Sequence, residues 1–169
     1  TARLTKIFEK NGTRGTWYAH ASVGCLHVRP VLNLRQDKDV RAMRAIAEEA
    51  FAMVREYKGS HSGEHGDGLV RSEFHEPMFG SKLVRAFEEI KDRFDPKPLF
   101  NPGKIVHAPK FDDRNNFRYG LHYSLVDLQP AFDWSEYTGG AQGFQGAVEM
   151  CNNNGACRNS AGNVMCPSY

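Results

Sequence analysis

Apolar positions recur at a helical period over Asp37 to Lys58. Val40, Met43, Ile46, Ala47, Ala50, Val54 and Tyr57 fall on one stripe, the pattern of a helix with one buried face. Asp37 or Asp39 is placed to cap its start and Gly59 to end it. A second helix is predicted from Ser81 to Phe94, with Leu83, Phe87, Ile90 and Phe94 on one stripe and Asp95-Pro96 as its stop. Leu4, Ile7 and Phe8 mark the end of a helix over Thr1 to Lys10, with Gly12 as the stop. Gly15 to His20 and Cys25 to Val31 read as strands joined by Ala21-Ser22-Val23-Gly24. Leu69 to Phe74 predicts a short strand, and Leu99 to Ile105 a turn followed by an extended piece. From His107 to Gly146 the periodicity disappears and prolines, glycines and asparagines take over, which predicts a linker with a boundary near residue 110. Ala147 to Tyr169 is expected to open with one helical turn and continue as a cysteine-bearing loop.

Side chains alternate faces along a strand. Tyr18 and His20 therefore share a face, opposite Trp17 and Ala19, while Cys25, His27 and Arg29 share a face opposite Leu26 and Val28. Antiparallel pairing is expected to set His20 opposite His27 with Cβ atoms about 5 Å apart, close enough for both imidazoles to reach one ion. Arg29 falls on the same face. After the long helix comes Ser62-Gly63-Glu64-His65-Gly66-Asp67-Gly68, a carboxylate and an imidazole side by side between glycines that permit tight turns and close approach to a ligand.

Composition is that of a globular chain: 169 residues, 40% hydrophobic and 25% charged, long enough for one domain with a core. A formal net charge of +2 and the absence of a lysine or arginine run argue against a nucleic-acid partner. No apolar stretch reaches the roughly 18 residues of a membrane span, and no signal-peptide pattern is present. A cytoplasmic location, or one peripheral to the membrane, is the expectation. The cysteines are lopsided, with Cys25 alone and Cys151, Cys157 and Cys166 crowded together. That spacing suits metal ligands in a reducing compartment better than a disulfide framework.

His20, His27 and Glu64 form a set of two imidazoles and one carboxylate. Such a set suits zinc, iron or manganese and leaves positions open for substrate. His65 adjoins it, and histidine is the side-chain type suited to proton exchange at working pH. The plainer possibility is two surface histidines on a hairpin beside an exposed glutamate. The residues alone also allow a metal-dependent hydrolase, in which His65 or Glu64 activates bound water, or a non-catalytic, metal-stabilised binding module.

Residues 15 to 106 resemble the end of the catalytic portion of the FAD-linked D-2-hydroxy-acid dehydrogenases, the D-lactate and D-2-hydroxyglutarate dehydrogenase branch of the vanillyl-alcohol-oxidase-like flavoproteins. The resemblance rests on Tyr18-Ala19-His20-Ala21-Ser22-Val23-Gly24-Cys25-Leu26-His27, on Gly63-Glu64-His65-Gly66, and on Phe94-Asp95-Pro96 with Asn101-Pro102-Gly103-Lys104. It implies an α+β fold, the C-terminal (cap) part of such an oxidase, with an antiparallel sheet and packed helices over residues 1–110. It implies FAD as cofactor, with Asn101 and Lys104 on the flavin side, a divalent metal on His20, His27 and Glu64, and His65 as the base. Where the family often shows Gly-Asp-Gly-Asn before the second metal histidine, this chain has Ser22-Val23-Gly24-Cys25, and Arg29 stands where an asparagine is common. Which D-2-hydroxy acid is the substrate stays open between D-lactate and D-2-hydroxyglutarate.

The remainder resembles a longer subfamily fused to an iron–sulfur domain, whose junction ends in the run seen here as Met165-Cys166-Pro167-Ser168-Tyr169. This implies a linker over 111–146 and the start of a ferredoxin-like iron–sulfur domain over 147–169, with Cys151, Cys157 and Cys166 as cluster ligands. Asn154 occupies the middle position of a Cys-x-x-Cys-x-x-Cys run, so a fourth ligand is expected elsewhere; a structural zinc loop or unliganded thiols are the alternatives. The implied reaction oxidises a 2-hydroxy acid by hydride transfer to FAD, and the electrons pass to the iron–sulfur domain and an acceptor. Arg29, and with it Arg71, would bind substrate carboxylate, though Arg71 also suits a solvated face. No Gly-x-Gly-x-x-Gly phosphate loop follows a strand. The FAD-binding domain is therefore expected before Thr1 and the rest of the iron–sulfur domain after Tyr169, and this stretch alone is expected to be inactive.

Overall fold

A computed structural model describes residues 1–120, 123–137, 142–151 and 155. The chain divides into two compact units, Thr1–Leu121 and His122–Tyr169. The first is α+β: helix α1 (Ala2–Lys10), strands β1 (Gly15–His20) and β2 (Cys25–Pro30), the long helix α2 (Asp37–Glu56), short helices α3 (Gly68–Arg71) and α4 (His75–Phe79), and helix α5 (Ser81–Phe94).

The core lies between α1 and α2. Leu4, Ile7 and Phe8 of α1 are buried against Ile46 and Met53 of α2, with Val28 of β2 and Ala50 packed alongside. Arg3 pairs with Glu56, its two guanidinium nitrogens 2.6 and 3.2 Å from the carboxylate oxygens. Both groups are exposed, so the pair adds little beyond orientation. The strands form a two-stranded antiparallel sheet. The face carrying Trp17 and Val28 turns toward α1, where Trp17 stacks on Phe8 with ring centroids 5.8 Å apart. The hairpin's other face, with its histidines, is left for chemistry.

Several local expectations are corrected. His20 pairs with Cys25 and His27 with Tyr18, so the two histidines are diagonal rather than directly opposite. The four-residue connection Ala21–Gly24 fixes that register: a 3-10 turn over Ala21–Val23 closed by Gly24 at φ 68. Residues 69–74 are helical, not a strand. Arg71 N–H bonds Asp67 O at 3.0 Å, and the Ser72 hydroxyl bonds Gly68 O, so i to i−4 bonding takes the backbone that a strand would have offered to a neighbour. Neither Asp37 nor Asp39 caps α2; Gln36 is the N-cap, and the Asp39 carboxylate instead accepts from Asn33 N–H at 2.6 Å. The left-handed residue after α2 is Lys58 (φ 56), one before Gly59. Ile105 is also left-handed (φ 70), so no extended piece follows the turn at Asn101 (φ 48). On α5, Leu83, Ile90 and Phe94 are exposed rather than core.

Residues 110–114, still within the first unit, fold back onto α2 and Glu73. Glu73 accepts from Arg44 Nη2 (2.7 Å), Lys110 Nζ (2.8 Å) and Phe111 N–H (2.7 Å), while Arg44 Nη1 also reaches Asp112 at 2.6 Å. Arg44, on α2, thereby ties this segment to the helix. The hydrogen bond from Arg44, helped by Lys110 and Phe111, pulls the Glu73 carboxyl down to about 2 against the opposing effect of burial. A second tie is Asp95, whose carboxylate accepts from Leu99 N–H (3.0 Å), Phe100 N–H (2.9 Å) and Lys91, closing the turn after α5.

In the second unit, helix α6 spans Gly143–Glu149, so the helical piece begins before Ala147. Gln145 Nε2 bonds Glu149 Oε1 at 2.8 Å, and Trp134 stacks edge-on against Phe144 at 5.2 Å. Among the described residues of both units, no helix is long and apolar enough to cross a membrane.

Candidate active site and metal centre

The β1–β2 hairpin and the loop after α2 build the site. Alternation places Thr16, Tyr18 and His20 on one face with Cys25, His27 and Arg29. The diagonal His20–His27 pair still meets, with ring centroids 5.0 Å apart and planes nearly perpendicular. Tyr18 stands beside both rings, 5.2 Å from each. The loop is pressed onto the hairpin at Gly63: a Cβ there would lie 2.6 Å from Cys25 Sγ. Only glycine allows that approach, and it sets Glu64 over the histidines.

Glu64 Oε1 is the focus. It lies 2.8 Å from His27 Nε2, 3.3 Å from His20 Nε2 and 3.3 Å from His65 Nε2. Donor atoms of His20, His27 and Glu64 all fall within 4.8 Å of one another, a separation one ion can span. His27 Nε2 is buried and, despite its distance from Glu64, forms no hydrogen bond. A buried imidazole nitrogen without a bonded partner, aimed at a carboxylate oxygen, is the donor arrangement a cation completes. The residues thus fit a divalent metal, with two nitrogens and one oxygen as donors. His65 is the most open member, its side chain 67% exposed, and its ring centroid is 5.6 Å from that of His27. The Ser62 hydroxyl donates to His65 O at 2.7 Å and shapes the turn that carries Glu64 and His65.

The other site residues expected from sequence are less gathered. Arg29 is exposed and on the histidine face, across the ladder from Thr16. Arg71 is half-buried at the end of α3, near enough to His61 for its charge to act on that ring. Asn101 and Lys104 are exposed on the turn after α5. Cys151 is exposed just beyond α6, and Cys157 and Cys166 lie outside the described residues.

A second group went unnoticed in the sequence. His61 and His75 are buried, and with Asp67 they place donor atoms within 4.8 Å of one another. His75 Nε2 is 2.8 Å from Asp67 Oδ2, and its Nδ1 is 2.9 Å from Ile105 O. Burial pushes the His61 imidazole below its ordinary pKa, only partly opposed by Asp67. For Asp67, burial acts upward, but the nearby Ser62 hydroxyl and His75 ring and the charges of His75 and His61 outweigh it and hold the carboxyl below its ordinary value. The available signal was two histidines outside the glycine loop, at 61 and 75, the second of them directly after Phe74.

This hairpin-and-loop arrangement belongs to a recognised class. The family described as FAD linked oxidases, C-terminal domain, matches residues 1–105, and the chain belongs to that family. Its relatives include proteins named D-2-hydroxyglutarate dehydrogenase and D-lactate dehydrogenase. It is 32% identical over 170 residues to D-2-hydroxyglutarate dehydrogenase of Escherichia coli (strain K12), which covers 99% of this chain and 16% of that protein. It is 34% identical over 163 residues to D-2-hydroxyglutarate dehydrogenase of Haemophilus influenzae, covering 96% of this chain and 15% of the relative. D-lactate dehydrogenase of Anaerostipes hadrus is 31% identical over 91 residues, 53% of this chain and 19% of that protein. The chain thus spans about one-sixth of the first of these relatives. No solved structure matches it.

Proposed function

We propose that this chain is the substrate-facing, proton-accepting part of a flavoprotein that oxidises a D-2-hydroxy acid, D-2-hydroxyglutarate or D-lactate, to the 2-oxo acid. The observation that carries this is the convergence of Nε2 of His20, His27 and His65 on one oxygen of Glu64. His20, His27 and Glu64 are the residues that would hold a divalent metal. A metal held there supplies Lewis acidity toward the hydroxyl and carboxylate of a 2-hydroxy acid. FAD, when bound, supplies the hydride acceptor.

The chain's own groups do the rest. His65 Nε2 accepts the hydroxyl proton as the carbonyl forms, a role suited to an imidazole that is open to substrate. Glu64 stands beside that ring, and its charge favours the imidazolium that results. Arg29 binds a substrate carboxylate from the histidine face; Arg71 acts from the loop side, and Asn101 and Lys104 from the flavin side. Gly63 and Ser62 hold the loop in register with the hairpin. We further propose that residues 1–110 form this catalytic part, with 111–146 linking it to an iron–sulfur domain that starts at 147. In that domain Cys151, Cys157 and Cys166 ligate a cluster that passes electrons to an acceptor.

The test is an absorbance spectrum of the flavin-loaded intact protein before and after addition of each D-2-hydroxy acid. Bleaching of the flavin band is expected with D-2-hydroxyglutarate or D-lactate. A flavin band unmoved by any 2-hydroxy acid contradicts the proposal.

A further inference from the structure

Two ring nitrogens and a carboxylate meet again where the two ends of the glycine loop approach His75. His61 immediately precedes the loop and Asp67 lies at its far end, so both shoulders of the turn carrying Glu64 and His65 converge on His75 of α4. Aromatic rings enclose them: Phe51 lies 4.8 Å from His61 and Phe79 5.4 Å from His75. His61 is 9% exposed and His75 2%, so water reaches this cluster poorly.

Hydrogen-bond satisfaction inside the cluster is incomplete. A carbonyl oxygen only accepts, so the contact of His75 Nδ1 with Ile105 O places a hydrogen on Nδ1. Nε2 of the same ring faces Asp67 Oδ2 at 2.8 Å. A backbone carbonyl that fixes the tautomer in this way is the usual outer support of a metal-binding histidine. Nδ1 of His61 and Oδ1 of Asp67 are both buried and form no hydrogen bond with any described residue. Leaving two buried polar atoms unbonded is destabilising. A cation at their junction removes that cost.

We propose that His61, Asp67 and His75 form a second, structural metal site for a zinc-like divalent cation, distinct from the one at Glu64. Two neutral imidazoles and a carboxylate suit zinc, and Asp67, with one oxygen facing His75 and the other unbonded, has a fourth donor to give. The ion would clamp both ends of the glycine loop to α4 and, through Ile105, to the turn after α5. It would thereby hold Glu64 and His65 in place without touching substrate.

Zinc is added to the purified intact protein, excess is removed by dialysis, and bound metal is counted. The variant His20→Ala/His27→Ala/Glu64→Gln leaves the buried cluster whole, and the site predicts that it retains about one zinc equivalent, which a closed three-residue site binds tightly. Further substitution of His61→Ala or Asp67→Asn should remove that equivalent. Chelation should lower the melting temperature of the triple variant. If the triple variant holds no zinc and chelation does not move its melting temperature, His75 and Asp67 are a plain ion pair and the proposal is overturned. Because the count is made with the Glu64 site removed, its outcome is independent of whether that first site binds metal.

Discussion

Nε2 of His27 lies 2.8 Å from Oε1 of Glu64, yet no hydrogen bond joins them. The nitrogen is buried and the carboxylate is held above it by a loop anchored elsewhere. A cation held between them, as proposed for this site, would satisfy both atoms. Substituting His20→Ala, His27→Ala and Glu64→Ala together should abolish divalent metal at this site by elemental analysis, with the fold retained by circular dichroism. Unchanged metal in a folded variant that also carries Asp67→Asn would contradict this assignment.

Gly63 is the contact on which that arrangement depends. A methyl group there meets Cys25 Sγ at 2.6 Å, so Gly63→Ala must push the loop from the hairpin. Overpacking of this kind costs about 1–3 kcal/mol, and roughly a tenfold loss of metal affinity is expected. Cys25→Ala added to Gly63→Ala should recover much of the affinity by freeing the space. Equal affinity for Gly63→Ala and the parent protein would show that the loop does not need the close approach.

Glu73 should make the protein acid-sensitive in a defined window. Its folded pKa is lowered to about 2, chiefly by Arg44. A depressed carboxyl stabilises the fold fully above its unfolded value and loses that contribution as pH falls through the folded one. Denaturant titrations should show stability declining between about pH 4.5 and 2, and Glu73→Gln should flatten that decline while lowering stability at neutral pH. An acid limb identical in the two proteins would assign the sensitivity elsewhere.

Much of the unit was legible because its signals are local. The α2 stripe, the alternation of the hairpin and the glycine-flanked Glu64-His65 each specify their own element. Alternation put His20, His27 and Arg29 on one face, and they are there. What was not legible depended on partners distant in the chain. The pairing of His20 with Cys25 follows from the length of the turn, not from which residues would be useful opposite each other. Ser72 decides that residues 69–74 are helical by bonding back to Gly68 and accepting from Ile105. The same goes for His61 and His75, which meet only because Asp67 and Ile105 bring them together. On α5 the apolar stripe was plain, but periodicity says only that a face is apolar, not what covers it.

Arg29 gives a substrate-level prediction. It is exposed on the histidine face, and a guanidinium binds carboxylate bidentately. Arg29→Ala should raise KM for D-2-hydroxyglutarate, a dicarboxylate, by about tenfold or more, and for D-lactate by less, since one charge-assisted contact contributes about 1.5–3 kcal/mol. Small, equal effects on both acids would make Arg29 a surface residue.

In the proposed site His65 takes the substrate proton while His20, His27 and Glu64 bind metal, and this division of roles is open to a single measurement. It is tested most directly by single-turnover flavin reduction in His65→Asn, with bound metal measured on the same sample. Loss of a positioned general base should slow reduction by about 10²–10⁴ while the metal content matches that of the parent protein. Reduction at the parental rate with metal in place would contradict the assignment of His65 as the base.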